Sequence, residues 1–477
     1  VNLRKKRITC SPRGTNLPLS LFIVCLVLLL ANSIARAADW PPTLDRDNPT
    51  PQSLDGRRIE RYTHGARADW GYPDASANEW KYPAPQETGP LGQNHNSFYL
   101  VFPRKPRRNA PLCVVLHSAN RTAFDYLGYQ FLNRKVDPSD EPESVMTRVP
   151  DDCYALFLNS TNDEWWGWSA ARQQSDKYAK TPTPAEKRVL DTISWVMSRQ
   201  KIDPNRVYLA GVSMGGCGAL GIGMPHGDIF AAMLVVVPAG TEFAALRMGF
   251  PTPHAASTPT QPDVATTPAV NLPDPPIVLD FSAQNDKWSE TQPALLEAAQ
   301  AAKYPLVLAW GPFGHTGSSI PIAKYSQDDV ALAFPWWEVH KNAPYPVFIH
   351  ASSNQRSPWT PETTGFDDSG QINAYFRWKN LREKTSTFTM KLWLAHPAVK
   401  NPPPVMPATS TAEITFRRFQ SFKFQPGKSY AWKLLRNGKI AASGTITPGA
   451  ANLLTIPHLT LTPVPAELSV KEGATTR

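Results

Sequence analysis

The chain has 477 residues, a formal net charge of +9, 48 prolines, 15 tryptophans and 5 cysteines. Six of the basic residues (Arg4, Lys5, Lys6, Arg7, Arg13, Arg36) and no acidic one fall within the first 37 positions, so the rest of the chain carries only +3. A nearly balanced surface, without a basic stripe interleaved with aromatics, excludes nucleic acid as the expected partner. The roughly 440 residues that remain exceed one ordinary hydrophobic core and predict two domains.

Residues 1–37 combine a basic start, an apolar run from Leu19 to Ala31 and the small-x-small sequence Ala35-Arg36-Ala37. This is the pattern of a signal peptide cleaved after Ala37, and it predicts a secreted or periplasmic protein. The apolar run is shorter than the roughly 20 residues a membrane span needs, so no stable membrane anchor is expected after cleavage. Export permits disulfides. The three remaining cysteines, Cys113, Cys153 and Cys217, are an odd number without framework spacing and read as small core residues.

Residues 38–96 show little periodicity and many turn formers, and read as an irregular arm. Beyond them, apolar and β-branched runs predict strands at Ser97 to Pro103, Pro111 to His117, Cys153 to Asn159, Val207 to Val212, Ala231 to Val237, Ile277 to Ser282 and Pro305 to Trp310. Helical patterns separate them at Thr122 to Asn133, at Pro184 to Gln200 with proline at its start, and near Thr291 to Lys303. Continuous apolar strands alternating with helices predict a doubly wound α/β domain over 38–343, its sheet covered on both faces. Ligands bind such sheets beyond the carboxyl ends of the strands. Two stretches are placed there: Trp165, Trp166 and Trp168, whose flat faces suit a ring, and a Pro/Thr-rich insertion at 251–276, either a lid or a disordered or glycosylated spur. Past Ala343 helical patterns vanish and short alternating runs predict an all-β, sandwich-like domain over 344–477, with a hairpin turn at Asn437-Gly438. Within it Gly365 to Asn373 lacks the ligand spacing of a calcium loop and reads as a turn, so no metal and no cofactor is expected.

One stretch carries chemistry. Gly211-Val212-Ser213-Met214-Gly215 fits G-x-S-x-G between a buried strand and a glycine-rich helix start, where serine sits on a strained turn and the glycines give the room a Cβ would take. A serine hydroxyl is a weak nucleophile at neutral pH, so it needs a histidine to take its proton and a carboxylate to fix the imidazole. On this sheet the acid and base should follow later strands in that order. Asp286, after Ile277 to Ser282, occupies the acid's place; Asp280, inside that strand, is the rival. His315, after the last predicted strand of the sheet, occupies the base's place. An attacked carbonyl becomes an oxyanion needing two backbone donors: Met214 after the nucleophile, and Ala119, or else Ser118, in the loop after Pro111 to His117. His117 itself reads as structural.

From Ser97 to about Ser319, these segments resemble the secreted α/β hydrolases, in the branch of polyhydroxybutyrate depolymerases, feruloyl esterases and acetylxylan esterases. The segments are DPNRVYLAGVSMGG (Asp203 to Gly216), VVLHSANRTA (Val114 to Ala123), SAQNDKW around Asp286 and GHT around His315. The resemblance implies a Ser213, Asp286, His315 triad and a secreted carboxylic ester hydrolase acting on acetyl or feruloyl groups of plant or algal polysaccharide. A polyester (polyhydroxyalkanoate) depolymerase is the alternative within the class. Ser118 departs from the glycine usual there. A reading of another class is a non-catalytic carbohydrate-binding or surface protein on a hydrolase scaffold, but such a scaffold has no need of serine, acid and base together.

Overall fold

A computed structural model of the chain describes residues 42–45, 53–54, 56–64, 97–105, 107–119, 121–131, 149–160, 165–166, 182–238, 240–250, 273–283, 286, 291–311, 315, 334–355, 370–395, 407–425, 427–448 and 453–473, all within the compact unit Pro42–Arg477. The expected signal segment 1–37, Trp168 and residues 251–272 of the insertion lie outside the described residues. No described helix is long and apolar enough to cross a membrane.

An eleven-stranded sheet organises the unit. It comprises β1 (Thr43–Leu44), β2 (Ser53–Leu54), β3 (Arg57–Thr63), β4 (Ser97–Val101), β5 (Ala110–Leu116), β6 (Tyr154–Leu158), β7 (Ile202–Val212), β8 (Ala232–Val236), β9 (Ile277–Ala283), β10 (Leu306–Gly311) and, past β11 (Tyr345–Ile349), β12 (Gly370–Ile372). The order is β1-β3-β4-β6-β5-β7-β8-β9-β10-β12, with β2 beside β3. Strands β5 to β10 run parallel, and β4 is antiparallel to both its neighbours, β3 and β6. From β3 to β10 this is a mostly parallel sheet with one antiparallel strand, β4, between β3 and β6.

Among the described residues five α-helices cross between strands: α1 (Ala123–Phe131), α2 (Pro184–Arg199), α3 (Met214–Gly223), α4 (Thr241–Arg247) and α5 (Gln292–Ala301). Alternate residues of each central strand enter opposite cores, Cys113 and Val115 on one face and Leu112, Val114 and Leu116 on the other. Burial on both sides is why these strands are continuously apolar. The start of α2 is fixed by a capping box, with the Thr183 hydroxyl accepting from the Glu186 N–H, the Glu186 carboxylate accepting from the Thr183 N–H, and proline in the first turn.

Within the arm, the described residues 42–45, 53–54 and 56–64 depart from the expected irregularity. Strand β3 pairs with β4 from Ile59 to Thr63, and its inward positions are Arg57, Ile59 and Arg61. Buried arginines stand where alternation requires apolar residues. Arg57 pairs with Asp151, and Arg61 lies 3.5 Å from Asp45 with its guanidinium over the Tyr99 ring.

The remaining strands, β13 (Phe376–Lys384), β14 (Thr387–Leu394), β15 (Ser410–Arg417), β16 (Tyr430–Arg436), β17 (Lys439–Ile446), β18 (Thr455–Leu461) and β19 (Ala466–Glu472), form two antiparallel sheets with β11, in the orders β11-β15-β18 and β13-β14-β19-β16-β17. Phe348, Ile414, Phe416 and Ile456 of the first share one core with Phe388, Leu392, Leu434 and Leu468 of the second, which makes a sandwich. It is not separate from the first sheet. The chain breaks at Asn373 (φ 59°), so that β12 joins β10 while β13 enters the sandwich. Tyr345, Val347 and Ile349 of β11 are buried in the core of the large sheet.

Arg418 clamps the two parts together. Buried over the Tyr345 ring, its guanidinium donates to the carbonyls of Ala231 (3.1 Å), Gly227 (3.2 Å), Phe230 (2.8 Å) and Asp274 (3.3 Å), where the chain enters β8 and β9. These are the strand ends opposite the nucleophile turn. Arg418→Ala should strip buried carbonyls of their donor and cost on the order of 3 kcal/mol. A melting curve unchanged from wild type would show that the clamp holds nothing.

Candidate active site

Ser213 stands between the end of β7 and the start of α3, with φ 55° and ψ −117°. A serine at positive φ is strained, and such strain persists only where the surroundings fix it. Here the Ser213 N–H donates to Val236 O at 2.9 Å, tying the turn to β8. The flanking glycines are steric necessities: a Cβ on Gly211 would lie 2.1 Å from Gly215 O, and one on Gly215 would lie 2.1 Å from Leu116 O and 2.7 Å from His117 O. The turn therefore abuts the loop that leaves β5.

The structure brings Asp286 and His315 to this turn. Ser213 Oγ is 2.7 Å from His315 Nε2, and His315 Nδ1 is 2.7 Å from Asp286 Oδ2. The Asp286 side chain is fully buried and that of His315 one-fifth exposed. A carboxylate only accepts, so Nδ1 carries the proton and Nε2 offers a lone pair to the serine hydroxyl. Asp280, the rival, sits mid-strand in β9 and takes part in a different network. It accepts from Ser282 Oγ at 2.8 Å and Gln292 Nε2 at 2.7 Å, and complete burial pushes its carboxyl up to about 7 against those hydrogen bonds.

The loop after β5 separates the two candidate donors. The Ser118 N–H donates to the Tyr126 hydroxyl at 3.1 Å, which removes it from the donors expected here. No described residue accepts the Ala119 N–H, and the Met214 N–H opens α3, where the first-turn amides lack partners within the helix. Tyr126 had no sequence signal of its own, since it lies in α1 among residues whose spacing says only that they are core.

Trp165 and Trp166 do not line the site. Trp165 and Trp166 are buried, so neither offers a free face, contrary to the expectation of ring stacking. They instead seat the nucleophile helix. A Cβ on Gly218 would meet Trp165 Cβ at 2.5 Å, and one on Gly221 would meet the Trp166 ring at 1.5 Å. Arg247 lies over Trp166, 4.9 Å from the ring centroid, and is held by Glu186 at 2.6 Å. The Trp165 indole N–H donates to His117 O at 2.9 Å. A separate cavity of about 390 Å³, lined by Phe334, Glu338, His340, Tyr345, Trp378 and Lys379 among others, includes none of Ser213, Asp286 and His315.

No family model matches the chain, and the search of curated proteins found no match. Several solved structures resemble it in part. An S-formylglutathione hydrolase from Staphylococcus aureus is 13% identical over 46% of this chain and 85% of its own, with a TM-score of 0.30. A ferulic acid esterase is 13% identical over 48% and 88%, with a TM-score of 0.30, and a thermostable esterase is 21% identical over 46% and 50%, with a TM-score of 0.31.

Proposed function

We propose that this chain is a serine hydrolase that cleaves carboxylic esters through an acyl-enzyme. The observation that carries the reading is the unbroken line from Ser213 Oγ through His315 to Asp286, 2.7 Å at both joints, assembled at the carboxyl ends of β7, β9 and β10. His315 Nε2 takes the hydroxyl proton as Ser213 Oγ adds to the ester carbonyl, and Asp286 stabilises the resulting imidazolium. The Met214 and Ala119 N–H groups hold the oxyanion. His315 then returns the proton to the departing alcohol. Water, deprotonated by the same nitrogen, attacks the acyl-serine, and its collapse releases the acid and restores the Ser213 hydroxyl.

The acyl groups in this reading are acetyl or feruloyl esters on plant or algal polysaccharide, and the protein acts after export, cleaved after Ala37. The substrate class rests on the sequence segments around Ser213, Asp286 and His315, and export on the basic and apolar pattern of residues 1–37; the buried Trp165 and Trp166 lend the substrate class nothing. The protein should release acetate from acetylated xylan or ferulate from methyl ferulate. Release of hydroxybutyrate from polyhydroxybutyrate alone would move it to the polyester depolymerases. No turnover of any ester, together with no labelling of Ser213 by a fluorophosphonate, would leave only the non-catalytic scaffold. N-terminal sequencing of the exported protein should begin at Ala38.

A further inference from the structure

A peptide group is planar, so whatever holds its carbonyl also aims its N–H. Two consecutive peptide groups follow His117, and each is held by hydrogen bonds from side chains around it. The His117–Ser118 group is held at both ends, its carbonyl by the Trp165 indole at 2.9 Å and its N–H by the Tyr126 hydroxyl at 3.1 Å. The Ser118–Ala119 group is held at its carbonyl end by His117 Nδ1 at 2.8 Å and, at the longer distance of 3.3 Å, by the Arg121 N–H. Its other end is the Ala119 N–H.

The partners of His117 also fix its proton. A backbone carbonyl only accepts, so Nδ1 must carry the hydrogen. His117 Nε2 lies 2.8 Å from the Ser160 backbone N–H, which only donates, so Nε2 must present its lone pair. The imidazole is buried and can satisfy both partners in one state alone, the neutral Nδ1–H tautomer. A second proton would set Nε2–H against the Ser160 N–H.

We propose that His117 is a positioning residue of the oxyanion site: its Nδ1–H holds the Ser118 carbonyl so that the Ala119 N–H faces the oxygen on which charge develops, and it does so only as the neutral tautomer. The assignment rests on the serine-hydrolase reading, because it presumes an ester carbonyl over Ser213. It separates His117 from His315, since the two imidazoles share a tautomer but His117 gains no proton during the reaction.

Two variants split the two jobs of the ring. The amide of His117→Asn falls near Nδ1 and keeps a donor for the Ser118 carbonyl, whereas that of His117→Gln falls near Nε2 and keeps only an acceptor for Ser160. His117→Gln should lower kcat by about ten- to a hundredfold on a chromogenic ester with little change in KM, below the full loss of an oxyanion donor. Its affinity for a boronic acid that mimics the tetrahedral state should fall in proportion. His117→Asn should recover most of that loss, and the melting curves of the two variants should match. Equal kcat in the two variants, or kcat that tracks melting temperature, would overturn the proposal. The wild-type protein gives a second measurement, the 15N imidazole spectrum, in which His117 should be neutral and protonated at Nδ1 at pH 7. A charged ring or the opposite tautomer would also overturn it. An active wild type with indistinguishable variants defeats only this assignment, whereas a wild type inactive on every ester defeats the hydrolase reading and leaves the tautomer to the spectrum.

Discussion

Ser213→Ala should lower ester turnover by on the order of a thousandfold or more while leaving the fold intact. The hydroxyl makes its hydrogen bond to His315, and the side chain caps nothing in α3. The bond that shapes the turn comes from the backbone, the Ser213 N–H to Val236 O, and alanine retains it. Alanine also keeps the Cβ, so the positive φ costs the same and packing around Gly211 and Gly215 does not change. What disappears is the atom that bonds to the acyl carbon. The Met214 and Ala119 donors would remain and could still assist attack by water, which is why the expected residue of activity is small rather than zero. Turnover of a chromogenic ester, measured beside a melting curve, decides the matter. Near wild-type turnover in a folded Ser213→Ala protein would remove the acyl-enzyme from the reading.

How far such details can be read from sequence depends on what each residue is buried against. Strands β5, β6, β8, β9 and β10 announce themselves because both faces are covered, leaving unbroken apolar runs. Strand β3 does not, because Arg57 and Arg61 fill its inward positions and are neutralised by partners distant in sequence. Strand β18 is masked differently: Pro457 reads as a strand breaker, yet β18 lies at the edge of its sheet, where a missing N–H costs little. By contrast, Asn437-Gly438 takes positive φ at both positions, 51° and 75°, as the hairpin signal requires.

The order of Ser213, Asp286 and His315 along the chain was legible because each falls just after a strand whose direction the alternation had fixed. The tryptophans misled because an indole near a strand end looks the same in sequence whether it stacks on a ligand or on a helix. The available signal lay in the helix: Gly218 and Gly221, three apart on α3, leave the hollows that Trp165 and Trp166 fill. The hydrogen bonds of Tyr126 and His117 had no comparable signal, since each depends on how a hydroxyl or a ring nitrogen meets a single backbone group.

The second large effect separates two carboxylates six residues apart. Asp286→Asn keeps the shape of the side chain but loses the charge that holds His315 in its Nδ1–H tautomer and stabilises the imidazolium. Turnover should fall by up to about ten-thousandfold with the protein still folded. Asp280→Asn should retain most of its activity and alter stability instead. The Asp280 carboxyl is pushed up to about 7 by burial, from an ordinary 3.8, so the folded chain holds a proton that the unfolded chain has already released. Its contribution to stability is complete below about 3.8 and is lost as pH rises through about 7. An amide does not titrate. The Gln292 side chain can turn so that its Oε1, which has no hydrogen-bond partner, accepts from that amide. The melting temperature of Asp280→Asn should therefore gain on wild type as the buffer is taken from about pH 5 to about pH 8. A constant difference between the two melting temperatures would show that Asp280 is ionised throughout. A folded but inactive Asp280→Asn beside an active Asp286→Asn would transfer the acid's role to Asp280, although His315 Nδ1 lies 2.7 Å from Asp286.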